Sequence, residues 1–266
     1  MVRVPPGRGP VAFVRAQRRA VRAVAPELRS PWLVLPAFAP RRVGRGLVLR
    51  VARRVLARST DPLPGVDATR RTVAGTAGGP PVDVVVHDPP RRERPSCALL
   101  WVHGGGIAAA LAQRAHDAGR PPAFQLLVYP VLDDRTVLRG APGPDDVRGR
   151  IGWTASTNRF GWTAYLGHPP RIEAPAPYTA PARRERLAGL PPAWIGVGDL
   201  DLHHDESTEY AERLRAAGVP CAPHVEPGML HAADVGSRTP SMVAFRERAV
   251  AAVRDAVGRA PAVPAG

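Results

Sequence analysis

From residue 82 onward, short apolar and β-branched runs alternate with longer stretches in which apolar residues return every three or four positions. The runs "VDVVVHDPP" (82–90), "SCALLWV" (96–102), "AFQLLVYPVLDD" (123–134), "PPAWIGVGDLD" (191–201) and "CAPHVEPGMLH" (221–231) read as strands, several of them stopped by Pro or by acids. Helical spacing falls at Ile107–Ala118, in "ESTEYAERLRAAG" (206–218) and in "PSMVAFRERAVAAVRDAVG" (240–258), with Gly119 and Gly218 placed as C-caps. Gly104–Gly106 reads as a tight turn between the strand at 96–102 and the helix that follows. The Pro-, Gly- and Arg-rich stretch 133–190 reads as loops and short helices lying over the sheet. Alternation of this kind predicts an α/β fold with a mostly parallel sheet and helices on both faces. In such sheets, chemistry gathers at the C-terminal ends of the strands.

The first 60 residues have a different texture. They hold 14 Arg against one acid, Glu27, so that +13 of the net +14 lies there and the body of the chain is close to neutral. Apolar and basic positions separate onto two sides of helical stretches such as "GRGLVLRVARRVLARST" (44–60). Residues 1–65 are therefore expected to form basic cap helices packed over a core, with weak contact to an anionic membrane surface as a further role. Residues 66–260 are expected to form the α/β domain and 261–266 a flexible tail. Nucleic acid is not an expected partner, because no aromatic interleaving or base-reading motif accompanies the charge.

The hydrophobic share of 44% over 266 residues is enough for a substantial core. The apolar runs fall far short of the roughly 18 residues a membrane span needs. With no apolar leader run near the N-terminus, a cytoplasmic location is expected. Cys97 and Cys221 stand far apart with no Cys/His cluster around them, which predicts free thiols and neither a disulfide framework nor a zinc site.

Three features fall just after strand ends: His103-Gly104-Gly105-Gly106, Asp201 and His231. Glycine after a strand lets backbone N–H groups approach a ligand closely, and two such donors can hold a developing oxyanion. The order acid, then His, is that of a hydrolase triad read along the chain. His203 and His204 beside Asp201 and Asp205 could be imagined as metal ligands, but adjacent His on a loop is a poor ligand set, and no metal or cofactor is expected. His203, His204 and His224 read as surface or strand histidines.

At these residues the chain resembles the hormone-sensitive-lipase-like branch of the α/β-hydrolase superfamily, which contains bacterial carboxylesterases and acetyl esterases. The resemblance covers roughly residues 70–258. "LLWVHGGG" is similar to that branch's HGGG oxyanion segment, and "AFQLLVYPVLDDR" to the strand after its nucleophile helix. "NRFGWTAYLG" (158–167), "GLPPAWIGVGDLDLHHDE" and "AGVPCAPHVEPGMLHAAD" are similar to its Asn-x-x-Gly-Trp, acid and histidine segments. "DLHHDE" matches the pattern Asp-Pro-Leu-x-Asp-Glu with Leu202 in place of Pro, which makes Asp201 the implied triad acid, with Asp199 its competitor. Asp205 is expected to cap the following helix. His231 is the implied general base. A small-molecule ester is the implied substrate.

The nucleophile is what the chain lacks. None of its seven serines sits in a Gly-x-Ser-x-Gly elbow. The glycine triplet joins a stretch resembling the strand before the oxyanion loop to one resembling the helix after the elbow. Aligned on the helix, Val102 stands where the Ser belongs; aligned on the strand, the Ser falls in an absent segment on the order of seventy residues long, from ordinary element lengths. The sequence thus predicts a hydrolase fold internally deleted near residue 106 and truncated in its centre. One repacking places 97–102 between 82–88 and 124–129, and an unfilled sheet edge would favour a homo-oligomer. The alternative to an impaired esterase is a pseudo-hydrolase, a binding or interaction protein that keeps the pocket.

Overall fold

The computed structural model describes residues 10–29, 66–74, 81–88, 98–100, 105–139, 146–235 and 237–259. Helix α1 (Pro10–Ala23) precedes strands β1 (Asp67–Val73) and β2 (Val82–Asp88), then α2 (Gly105–Asp117), β3 (Gln125–Val128), α3 (Ala155–Leu166), β4 (Ala193–Gly198), α4 (His204–Ala216), β5 (Cys221–Glu226) and α5 (Pro240–Arg259). The chain divides into two compact units, one of residues 1–37 with 100–262 and the other of 38–99 with 263–266.

The smaller unit contains the hairpin β1–β2, antiparallel with Asp67 opposite Asp88 and Val73 opposite Val82. Its strands are largely exposed, and Thr72 and Asp83 bond across the pair at 2.8 Å. Strand β2 was legible as a β-branched run, whereas its partner β1, rich in Arg and Thr, was not.

The larger unit is built on a parallel sheet of order β3–β4–β5. Every residue of β4 is buried, as the central strand of a sheet covered on both faces must be. One face packs Ala109 of α2 and Tyr210, Ala211 and Leu214 of α4 against Leu127 and Ile195. The other packs Met242, Phe245 and Ala249 of α5 against Trp194, Leu126 and Val128. Ala20 of helix α1 and Val24 just after it pack on Ile151, Leu200 and Leu230, while Arg15, Arg18 and Arg22 face outward. Ala16, Ala20 and Val24 are therefore spent within the protein, while Val14 stays exposed. The second basic stretch, 44–60, lies outside the described residues.

Three local expectations are corrected. Residues 98–100 belong to neither sheet, and Leu99 and Leu100 are 66% and 63% exposed; the rest of the run 96–102 lies outside the described residues. Strand 82–88 pairs with 67–73, so the repacking that set 97–102 between 82–88 and 124–129 is not found among the described residues. Helix α2 begins at Gly105 rather than at Ile107. Both of its first residues are glycine for a packing reason: a Cβ on Gly105 would lie 2.8 Å from the Pro130 Cβ, and one on Gly106 would lie 1.9 Å from the Val131 carbonyl oxygen.

Candidate active site

Three chain segments meet at the C-terminal end of the sheet. After β4, the Asp201 N–H donates to the Gly198 carbonyl at 3.2 Å, turning the chain toward α4. After β5, the chain crosses so close to Gly198 that a Cβ there would lie 2.0 Å from the Met229 oxygen. The Leu200 N–H bonds that same oxygen at 3.2 Å, which ties the two loops together. Asp199, the competing acid, accepts the Gly228 N–H at 2.7 Å and serves this crossing.

Asp201 and His231 are brought together by that crossing. Asp201 is fully buried; its Oδ1 accepts the His203 backbone N–H and its Oδ2 lies 2.9 Å from His231 Nδ1. Burial opposes the carboxylate charge, but the hydrogen bond from His231 and the charges of both histidines outweigh it, holding Asp201 below the ordinary carboxylate range. The His231 side chain keeps 13% of its surface open. Its ring stands edge-on to Tyr129 at 4.9 Å, and lies 5.3 Å from Trp153 and 5.4 Å from His203.

Sequence reasoning missed this aromatic wall. Tyr129 ends β3 at a φ of 35°, a region L-residues rarely occupy, with its N–H on the Gly196 oxygen at 2.6 Å. Burial and the neighbouring Asp234 hold its phenol strongly protonated. Strain at a strand end was the structural sign of a site residue, and no sequence pattern carries it.

His203 and Asp205 depart from expectation. His203 is completely buried rather than a surface or strand residue, and its Nδ1 lies 3.0 Å from Glu206 Oε1. Asp205 does not cap α4: the first turn has no side-chain cap, and Asp205 instead pairs with Arg148 at 2.9 Å and His204 at 2.8 Å. The turn at Asp201 instead takes the His203 N–H on its carboxylate and the His204 N–H on its carbonyl. His224, on β5, bonds Glu226 at 2.7 Å.

Of the expected oxyanion segment, His103 and Gly104 lie outside the described residues. Gly105 and Gly106 stand in the first turn of α2 rather than in a turn before it, at the end of β3. Amides of a first helical turn have no intrahelical acceptor, and the helix dipole favours negative charge there. Ser156, Ser207, Ser237 and Ser241 all bond elsewhere, to Thr154, the Pro130 oxygen, Thr239 and Glu27. Cys221 is a free thiol whose burial pushes it up to about 11; Cys97 lies outside the described residues. Donor atoms of Asp201, His203 and His231 lie within 4.8 Å of one another, a closeness explained by the hydrogen bonds that already occupy both Asp201 oxygens.

Residues 103–234 match the α/β-hydrolase fold family. Esterase LipI of Mycobacterium tuberculosis is 42% identical over 130 residues, which are 48% of this chain and 39% of that protein. Carboxylesterase NlhH of the same species is 34% identical over 137 residues, 48% of this chain and 40% of that protein. The chain thus spans about two fifths of the length of these relatives. Among solved structures, a bacterial heroin esterase superposes with a TM-score of 0.74 at 22% identity, covering 89% of this chain and 99% of that one. The esterase LipW of Mycobacterium marinum does so with a TM-score of 0.62 at 22% identity, covering 89% and 97%. No helix among the described residues is long and apolar enough to cross a membrane. Over residues 103–234, then, the chain has the α/β-hydrolase fold, and the relatives it is similar to are esterases and carboxylesterases.

Proposed function

We propose that the chain is a carboxylic-ester hydrolase of the serine-esterase type with its acid and base in place and its nucleophile-bearing segment missing. The observation that carries this reading is the buried Asp201–His231 pair, 2.9 Å apart at the ends of two parallel strands. In that role Asp201 fixes the tautomer of His231, leaving Nε2 to take a proton from an attacking hydroxyl and return it to the leaving group. His103, Gly104 and the first-turn amides at Gly105 and Gly106 would steady the oxyanion. Neither metal nor cofactor enters this chemistry. Small esters are the proposed substrates, supported by the names of the relatives, which are esterases and carboxylesterases.

The missing elbow limits the rate. Removing the nucleophile of a studied serine protease costs on the order of a million-fold in turnover. The purified chain is expected to take up no fluorophosphonate and to hydrolyse p-nitrophenyl acetate about a million-fold more slowly than a serine esterase. A stoichiometric adduct seen by intact mass would overturn the missing-nucleophile reading. The engagement elsewhere of the four serines among the described residues favours a second reading, a pseudo-hydrolase that binds without turning over. Equilibrium dialysis separates the two: retention of a short-chain ester without hydrolysis supports binding, and no retention counts against it.

A further inference from the structure

The acid–base pair has an unexplained neighbour. His203 is wholly buried, its amide holds Asp201 Oδ1 at 2.9 Å, its Nδ1 lies 3.0 Å from Glu206 Oε1, and its ring meets that of His231 edge-on at 5.4 Å. Its Nε2 is buried with no hydrogen-bond partner among the described residues. A hydrophobic side chain would fill this place at lower desolvation cost, and Leu is what the pattern Asp-Pro-Leu-x-Asp-Glu has there.

Glu206 is the anchor. Its Oε1 also accepts the Leu132 N–H at 2.7 Å and its Oε2 the Thr136 hydroxyl, so it is fixed from the loop after β3 as well as from α4. Resting on the reading of His231 as the base, we propose that His203 is a positioning residue: its ring, an imidazolium clamped by Glu206, fixes the backbone N–H that holds Asp201 in register and partly offsets that carboxylate's charge beside His231. The Asp201 carboxylate thus faces two histidine rings, which stand 5.4 Å from each other.

The groups that face His203 are consistent with its charge. Glu206 comes from α4, Asp201 from the loop after β4 and His231 from the loop after β5. Asp133 and Asp134 of the loop after β3 are already paired with Arg135 and Arg183. Trp153 is the aromatic contact at 6.4 Å and carries no charge. Burial disfavours the imidazolium, but Glu206 and then Asp201 outweigh it, and the ring is held above the ordinary imidazole range.

Two measurements test this on the full chain, and both read ring protonation whether or not the protein hydrolyses an ester. Ring 15N shifts of the wild type should show His203 as imidazolium at pH 7; a neutral ring there overturns the proposal. In His203→Asn, whose amide can still donate to Glu206, the pH profile for modification of His231 by diethyl pyrocarbonate should move up by about one pH unit, slowing the reaction by up to about tenfold on the acidic side of that profile. A variant that is folded by near-ultraviolet circular dichroism and whose His231 profile has not moved overturns the proposal. Should that variant not fold, the wild-type shifts decide the matter alone.

Discussion

At the level of single residues, Asp201 couples the site to stability. Its carboxyl is buried and depressed, with burial opposed by His231 and His203, so the folded chain releases this proton more readily than the unfolded one. Stability from this group is present above the ordinary carboxylate value of about 3.9 and is lost as pH falls through the folded value. Urea midpoints measured from pH 7 down to pH 3 should fall in the wild type, and Asp201→Asn should flatten that fall while lowering the midpoint at pH 7. His203 has the opposite sign. Its raised value means that its contribution is complete below about pH 6.5 and fades as pH climbs past the folded value, so His203→Asn should cost stability at pH 6 and little at pH 9.

Between elements, the site depends on how closely helices approach strands. Gly106 touches the chain after β3, where a methyl group would stand 1.9 Å from a backbone oxygen that cannot move without taking the strand end with it. Gly106→Ala should therefore destabilise the fold by about 3 kcal/mol, at the upper end for an overpacked core, read as a drop in thermal midpoint. The loop after β3 is secured by Asp134, 1% exposed, and Arg183, 10% exposed, at 2.6 Å. Arg183→Met strands a buried carboxylate and should cost about 3–5 kcal/mol in chemical denaturation. Replacing both partners with apolar residues should recover most of that loss.

In the larger unit, a parallel three-stranded sheet among the described residues is covered on both faces, with Asp201 and His231 at the strand ends where open α/β sheets place their chemistry. Helix α1 covers the loops that carry Asp201 and His231 through Leu200 and Leu230. Ala20→Asp should therefore loosen both loops, detected as faster amide exchange at 199–204 and 228–233, with the sheet amides little changed.

The sequence by itself determined the α/β class, strands β3, β4 and β5, the closing helix, and the pairing of Asp201 with His231. The elements rest on local periodicity, and the pairing on the motifs by which the chain resembles the hydrolase branch. It also determined the absence of a Gly-x-Ser-x-Gly elbow, since a motif that is not written cannot be folded into place. Only the tertiary structure decided that Gly105 and Gly106 serve helix–strand contact, that Tyr129 and Trp153 wall the histidine, and that His203 is buried against Glu206. Those facts depend on segments far apart in the chain meeting in space, where burial and a partner's charge set what a side chain does. In "DLHHDE" the two histidines look alike; the fold buries one beside His231 and leaves the other paired with Asp205 at the start of α4.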